Sequence, residues 1–341
     1  MRVLLTNSAL ENRAGSELWL QEVALALLAR GHAPVAFSPR LGGVAAQLRR
    51  ATVPVIDDLS RLADRPDLIH GQHHLETMAA LLHFPGVPAI VVCHGFAPSP
   101  EAPPAFPRIR RYVAVDDLVR ERLIAECGIT ADRIVMLRNF VDLSRFLPRP
   151  PLPAEPRRAL VLSNQASEAT FVPPLRTACQ ERGIQLDVAG VASGKVLDRP
   201  EEALAKADVV FAKGRAALEA AAMGCFVVLC DATGLGPAVL PEDFPYLRSF
   251  NFGARTLRDP IEPAEVERRL ARYDPAGAAE VRDRVRATAG LEGAMDALIA
   301  LYEQVLDEER ELPPPDLAAE LRAVSRYLRW GPLRGTRWWA D

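Results

Sequence analysis

Over the first 150 residues, short and nearly continuous apolar runs alternate with stretches whose apolar positions recur at helical spacing. Residues 2–5 read as a buried strand. Gly15-Ser16 opens a helix in which Leu20, Val23, Ala24, Leu27 and Leu28 share one face, and Arg30-Gly31-His32 closes it. Residues 34–38, 53–56, 68–70, 89–93 and 112–115 continue the ladder of strands. Strands that alternate with helices predict a parallel, doubly wound sheet, and unbroken apolar strands predict cover on both faces.

The proline-rich segment 148–156 (PRPPLPAEP) breaks the pattern and reads as a stiff connector. Beyond it the alternation restarts: strands at 158–162, 185–189, 208–211 and 226–230, helices at 174–182 and 216–223. Amphipathic helices follow at 262–270 and 278–309, and residues 316–330 read as a helix that packs across structure already built. The expectation is therefore an N-terminal Rossmann-like domain at 1–150, a C-terminal one at 151–315, and a tail at 316–341 crossing back to the first. Two such tandem parallel-sheet domains are expected to face an interdomain cleft.

Composition narrows the function classes. The chain of 341 residues is too long for one ordinary core. A net charge of −3 offers no general attraction for nucleic acid or anionic membrane. No apolar run approaches the ~20 residues of a spanning helix, and the opening MRVLLTN reads as a strand and not a signal peptide. Five cysteines, odd in number and mostly within apolar runs, fit a reduced, cytoplasmic protein.

In open parallel sheets ligands bind beyond the carboxyl ends of strands. Four segments supply chemistry there. Gly15-Ser16 lies at a helix start, where unpaired N–H groups suit a phosphate or a sugar hydroxyl; a plain turn with Ser16 as N-cap is the other reading. His70, His73 and His74 cluster, but not at the spacing of a helical metal-binding pair, so no metal is expected. His94 ends a strand and precedes Gly95, where it suits a sugar hydroxyl, a proton shuttle or a purely structural bond. In Asp208–Leu229, a strand–loop–helix–strand unit, Lys213, Gly214 and Arg215 stand at the helix entrance, placed to hold a diphosphate. Glu219 one turn on can accept from a ribose diol, or be a solvated helix carboxylate.

These segments together resemble the retaining glycosyltransferase family 4 of the GT-B fold, over most of the chain. "AGSE" is similar to the family's glycine-rich turn, "DLIHGQHH" to its Asp-hydrophobic-hydrophobic-His-x-His segment, and "VVCHG" to a strand ending in a cleft histidine. "GITADRIVMLRNFVDLSRF" resembles a stretch in which Asn139, Val141, Asp142 and Phe146 match and Phe140 replaces the usual glycine. "GRAALEAAAMGCFVVL" resembles the family's Leu-Glu-Ala-Met-Ala-x-Gly signature. The resemblance implies sugar transfer from a UDP- or GDP-type nucleotide donor to a saccharide, lipid-linked or small-molecule acceptor, as in polysaccharide biosynthesis, with retention and without metal or cofactor. It implies that His94 contacts the transferred sugar in catalysis, and Lys213, at the helix entrance, is the catalytic cation expected in place of the family's basic pair. The resemblance places Glu219 on the donor ribose and Gly15 near the donor phosphates and the acceptor; the strand-end reading adds Gly190, Lys213, Gly214 and Arg215 at the donor, and Ser16, His73 and Asn139 at the acceptor. The partners implied are a nucleotide sugar and an acceptor, with no nucleic acid; the tail at 322–339, which mixes Arg with Tyr and Trp, is expected to cover a domain seam, with at most peripheral membrane contact as the alternative.

Two departures bear on activity. The first glutamate of the family's spaced pair falls at Phe211, and the stretch after the first strand of the C-terminal domain, residues 162–168, holds neither the Arg nor the Lys of the family's basic pair. A catalytically degenerate GT-B-like binding or assembly protein is therefore the alternative expectation. A sugar-nucleotide epimerase sharing the architecture is a third; it needs acid–base groups around the cleft, whereas all six histidines lie before residue 95.

Overall fold

The structure, a computed structural model, describes residues 1–95 and 102–330. Contacts divide the chain into two units: residues 1–137 with the chain from 295 onward, and residues 138–294.

The first unit is built on seven strands: β1 (Arg2–Thr6), β2 (Ala33–Phe37), β3 (Val55–Ile56), β4 (Leu68–Gly71), β5 (Ala89–Cys93), β6 (Ile109–Ala114) and β7 (Ile134–Met136). Their order is β3-β2-β1-β4-β5-β6-β7, parallel throughout. The chain moves outward in one direction from β1 through β2 to β3, then returns to β4 on the other side, so the switch point lies between β1 and β4. Helices α1 (Gly15–Ala29), α2 (Gly43–Arg50), α3 (His74–His83) and α4 (Asp117–Ala125) connect the strands. In α1 the side chains of Trp19, Leu20, Val23, Ala24 and Leu27 are buried, the face that helical spacing selects. Every residue of β5 is buried, as expected for a strand covered on both faces.

The second unit carries β8 (Arg158–Leu162), β9 (Gln185–Ala189), β10 (Val209–Ala212), β11 (Phe226–Asp231) and β12 (Gly234–Ala238), in the order β12-β11-β10-β8-β9. Its helices are α5 (Val172–Glu181), α6 (Pro200–Leu204), α7 (Gly214–Met223), α8 (Phe244–Ser249), α9 (Pro263–Leu270) and α10 (Pro275–Thr288). The sheet separates two apolar layers. Val210, Ala212 and Leu229 point into one with α7 and α10, while Val209, Phe211 and Val228 point into the other with α5 and α9. α7 ends at Gly224, whose φ of 90° is the left-handed conformation a glycine C-cap supplies.

Three features differ from the expectation. The second sheet is not wholly parallel: β12 runs antiparallel to β11, because only Ala232 and Thr233 separate them and a parallel crossover needs a dozen residues or so. The stretch 278–309 is not one helix. It breaks at Ala289-Gly290, where Val141 N–H donates to the Ala289 carbonyl at 2.8 Å and Leu291 N–H donates to the Val141 carbonyl at 2.9 Å. Helix α11 (Leu291–Glu311) then carries the chain back into the first unit, ahead of 315.

That bridge also accounts for the third difference. Phe140, Val141 and Phe146 are buried in the second unit, and Arg149 is bound to the Met223 carbonyl and to Asp208. The segment before the prolines is therefore already part of the second unit, which begins at 138 and not after 150. Contacts group the final helix, α12 (Leu317–Trp330), with the first unit. Its anchor is Arg108, a fully buried guanidinium bonded to both Glu320 oxygens and to the carbonyls of Leu81, Phe84 and Val87. Trp338 and Trp339 lie outside the described residues.

Candidate functional site

In the first unit the carboxyl ends of β1 and β4 bring together Asn7, Ser8, Gln72 and His73 at the switch point. Asn7 Nδ2 donates to Gln72 Oε1 at 3.0 Å, and the Ser8 N–H donates to His73 Nδ1 at 3.1 Å. With Nδ1 accepting, the proton of a neutral His73 resides on Nε2. Gln72 Nε2 is buried without a hydrogen-bond partner among the described residues. Gly15 begins α1 beside this region, and a Cβ built there meets nothing within 4 Å, so packing does not require glycine at that position. Ser16 is in the first turn and is not the N-cap, a place taken by Ala14.

Sequence reasoning passed over Glu17, one residue further. It is 5% exposed, and its Oε2 has no hydrogen-bond partner among the described residues. Burial pushes its pKa up to about 7, against a backbone hydrogen bond from Asn12 that lowers it. Glu76, in the first turn of α3, is also raised by burial, and both carboxyls feel His73. A glutamate inside the first turn of an amphipathic helix reads as an ordinary dipole partner, and no local signal announces its burial.

The three clustered histidines diverge. His70 is buried, with Nδ1 2.5 Å from Tyr302 Oη of α11, and burial lowers its pKa to about 3, so it stays neutral. His74 Nδ1 lies 2.6 Å from Tyr327 Oη of α12. Trp19 stands between His70 and His94, with ring centroids 5.3 Å and 5.2 Å away. The structure thus groups His94 with Trp19 and His70, and places His73 with Glu17 and Glu76.

In the second unit Lys213, Gly214 and Arg215 do stand at the start of α7, at the carboxyl end of β10. Lys213 Nζ is 2.8 Å from Asp231 Oδ2, on a carboxylate only 2% exposed at the end of β11. The Gln165 amide, after β8, adjoins the same carboxylate, and with its NH2 turned toward Asp231 it donates to Oδ1 at 2.9 Å. Arg215 Nε donates to Glu219 Oε1 at 2.7 Å, so one oxygen of the expected ribose acceptor already has a partner. Glu219 is 7% exposed and is no solvated helix carboxylate. The N–H of Gly214, with φ of +57°, donates to the Phe252 carbonyl at 2.8 Å. Asn251 and Phe252 hold positive φ angles of 48° and 54° to present that carbonyl, a strained arrangement for non-glycine residues.

Gly190 has a structural reason of its own. Its φ is +146°, and a Cβ there would fall 1.8 Å from the Ser163 carbonyl oxygen. Asn139 belongs to this unit and not to the one holding Ser16 and His73; its N–H and carbonyl bond Asn251 Oδ1 and Arg248 Nη2. Phe211 is fully buried in the β10 core, so the position of the family's first glutamate presents no polar group to a ligand.

Arg248 was also missed. Its guanidinium donates to Asn251 Oδ1 at 2.6 Å and to the Asn139 carbonyl at 2.7 Å, both neutral acceptors. Burial first, and repulsion from Arg138 second, lower its pKa to about 10. Two arginines thus adjoin the loop that contacts the start of α7. They come from 138 and 248, positions far apart in sequence and in different elements, so no motif could reveal them. Among the described residues no group of three or more His, Cys, Asp or Glu side chains is arranged to hold a metal ion.

Residues 13–145 match the family model described as Glycosyltransferase Family 4. Among curated proteins none matches the chain. Solved structures with a similar fold include a glycosyltransferase from Rickettsia africae, 14% identical, covering 89% of this chain and 98% of that one, with TM-score 0.59. Anabaena HepE in complex with UDP is 13% identical, covers 89% and 99%, and gives a TM-score of 0.62. Sucrose-phosphate synthase from Thermosynechococcus elongatus is 15% identical, covers 90% and 99%, and gives 0.61. At such identity these likenesses speak for the fold, and the fold is GT-B.

Proposed function

We propose that this chain, with a GT-B fold and residues 13–145 matching the family 4 model, is a glycosyltransferase that moves a sugar from a nucleotide diphosphate to a hydroxyl of a saccharide, lipid-linked or small-molecule acceptor. In that reaction the acceptor oxygen bonds the anomeric carbon, the bond to the diphosphate breaks, and the acceptor proton is released. Configuration is retained and no metal takes part. The reading carries a cytoplasmic location with it, where nucleotide sugars are made.

The observation that carries the proposal is the cluster at the carboxyl ends of β8, β10 and β11, where Lys213, Arg215 and the buried Glu219 meet the start of α7. Lys213, Arg138, Arg248 and the positive end of the helix supply the charge that a departing diphosphate needs in place of the family's missing basic pair. Glu219 keeps one oxygen for a ribose hydroxyl. UDP is the first donor nucleotide to try, since HepE is described in complex with UDP and with UDP-glucose. On the acceptor side the reading uses Gly15, Ser16 and His73, with His94 on the transferred sugar and Glu17 and Gln72 as additional hydroxyl partners.

Calorimetric titration with UDP, GDP and dTDP tests this. Binding of one of them, weakened by Glu219→Ala, is the expected result; no binding by any overturns it. The second reading, a GT-B-like protein that has lost the chemistry, is favoured by Phe211 in the core and by Asp231 already neutralising Lys213. It requires nucleotide binding or none, but never turnover of a donor.

A further inference from the structure

Helix α12 is held to the first unit along one side only. Glu320, Ala323 and Tyr327 face inward, through the Arg108 ion pair, burial, and the contact with His74. Leu317, Leu321 and Leu328 are 68%, 61% and 56% exposed. At 100° per residue these three leucines fall within about 40° of one another, forming one apolar stripe that folding does not use. Arg322, Arg326 and Arg329 occupy the adjoining exposed side. The only acidic residue of the helix, Glu320, is spent on Arg108, so the outward charge of α12 itself is positive; Asp316, just before the helix, lies 3.7 Å from Arg322 in an exposed pair. Helix α3, which His74 joins to α12, adds Leu75 and Leu82, 41% and 51% exposed.

An exposed leucine stripe beside exposed arginines is the pattern of a helix that lies in a membrane interface: leucines enter the acyl boundary and guanidiniums meet headgroup phosphates. We propose that α12 docks the protein on an anionic lipid surface. The occupant follows from charge, because a neutral surface satisfies the leucines but offers no anion to the arginines, of which Arg322 is held, among the described residues, only by a long, exposed pair with Asp316. No described helix is long and apolar enough to cross a membrane, so the contact is one of surface docking. The proposal does not depend on any sugar transfer.

The test is cosedimentation of the full chain with vesicles of phosphatidylcholine alone and of phosphatidylcholine mixed with phosphatidylglycerol. The expected result is binding to the mixed vesicles only, lost as salt shortens the screening length from ~10 Å to ~3 Å between 0.1 M and 1 M. Arg322→Glu with Arg329→Glu should weaken partition roughly tenfold or more, at about a factor of five per cation lost. Leu321→Glu with Leu328→Glu should weaken it on the order of tenfold with unchanged thermal stability, since both side chains are exposed. Failure of the wild type to bind mixed vesicles at low salt overturns the proposal, as does equal binding to both kinds. Light scattering supplies the remaining arm. A wild-type dimer that the leucine variant converts to monomer, without vesicle binding by either, would assign the stripe to a second copy of the chain instead.

Discussion

Lys213 Nζ and Asp231 Oδ2 lie 2.8 Å apart, so the cation at the start of α7 is paired within its own unit before any ligand arrives. A diphosphate that binds there competes with a carboxylate that is almost wholly buried. Lys213→Met should weaken nucleoside diphosphate binding by about 2 kcal/mol, roughly thirtyfold, the worth of one charge-assisted hydrogen bond. Asp231→Asn should do the reverse and tighten it, because a competing negative charge is removed. Calorimetry on both variants checks the pair; a loss of affinity in Asp231→Asn would mean that the carboxylate positions the lysine more than it opposes the ligand.

Two glycines separate packing from ligand approach. Gly190→Ala places a Cβ 1.8 Å from a backbone oxygen at a φ that side chains rarely adopt, and should lower Tm sharply or prevent folding. Gly15→Ala meets open space, so Tm should stay within a degree or two, as expected of a strain-free substitution. Any loss of sugar transfer in Gly15→Ala then reports contact with substrate. Thermal melts and initial rates on both variants decide it.

Glu17 makes stability depend on pH in a stated direction. Its pKa is raised from 4.5 to about 7 by burial, so over that interval the folded chain keeps a proton that the unfolded chain has released. Stability therefore falls as pH rises through the interval and levels off above it. Glu17→Gln should gain Tm relative to the wild type as pH moves from about 5 to about 8. Parallel melting curves for the two proteins across that range would show that the carboxyl is better solvated than its burial implies.

The anchor of α12 gives a large effect. Glu320→Ala strands the buried Arg108 guanidinium and should cost about 3–5 kcal/mol in denaturant unfolding of the first unit. Replacing both partners with apolar residues, Arg108→Met with Glu320→Leu, should cost much less. Equal losses would point to the three carbonyls on Arg108, and not the ion pair, as its main role.

The layered α/β architecture was legible because strands buried on both faces write themselves as apolar runs, and Ala89–Cys93 and Arg158–Leu162 fall where the runs predict. The boundary was not. Prolines at 148–156 mark stiffness, but the division follows burial of Phe140, Val141 and Phe146, a tertiary fact. The strand–loop–helix at 209–223 placed Lys213, Arg215 and Glu219 at one strand end, since local structure and site coincide there. Their partners were hidden, because Asp231, Gln165 and Phe252 reach α7 only through the fold. Glu17 and Arg248 escaped for the same reason: their distinction is burial away from compensating charge, which neighbours in sequence do not encode.

The central claim, that the cluster around Lys213 and Glu219 serves transfer of a sugar from a nucleotide, is tested most directly by donor turnover. Incubation with UDP- and GDP-sugars, with release of nucleoside diphosphate measured in the wild type and in Glu219→Gln, is the decisive assay. The account predicts release with at least one donor, slowed at least tenfold in the variant, the scale of one lost hydrogen bond of about 1.4 kcal/mol or more. Binding without release for every donor, or release indifferent to Glu219, would contradict it.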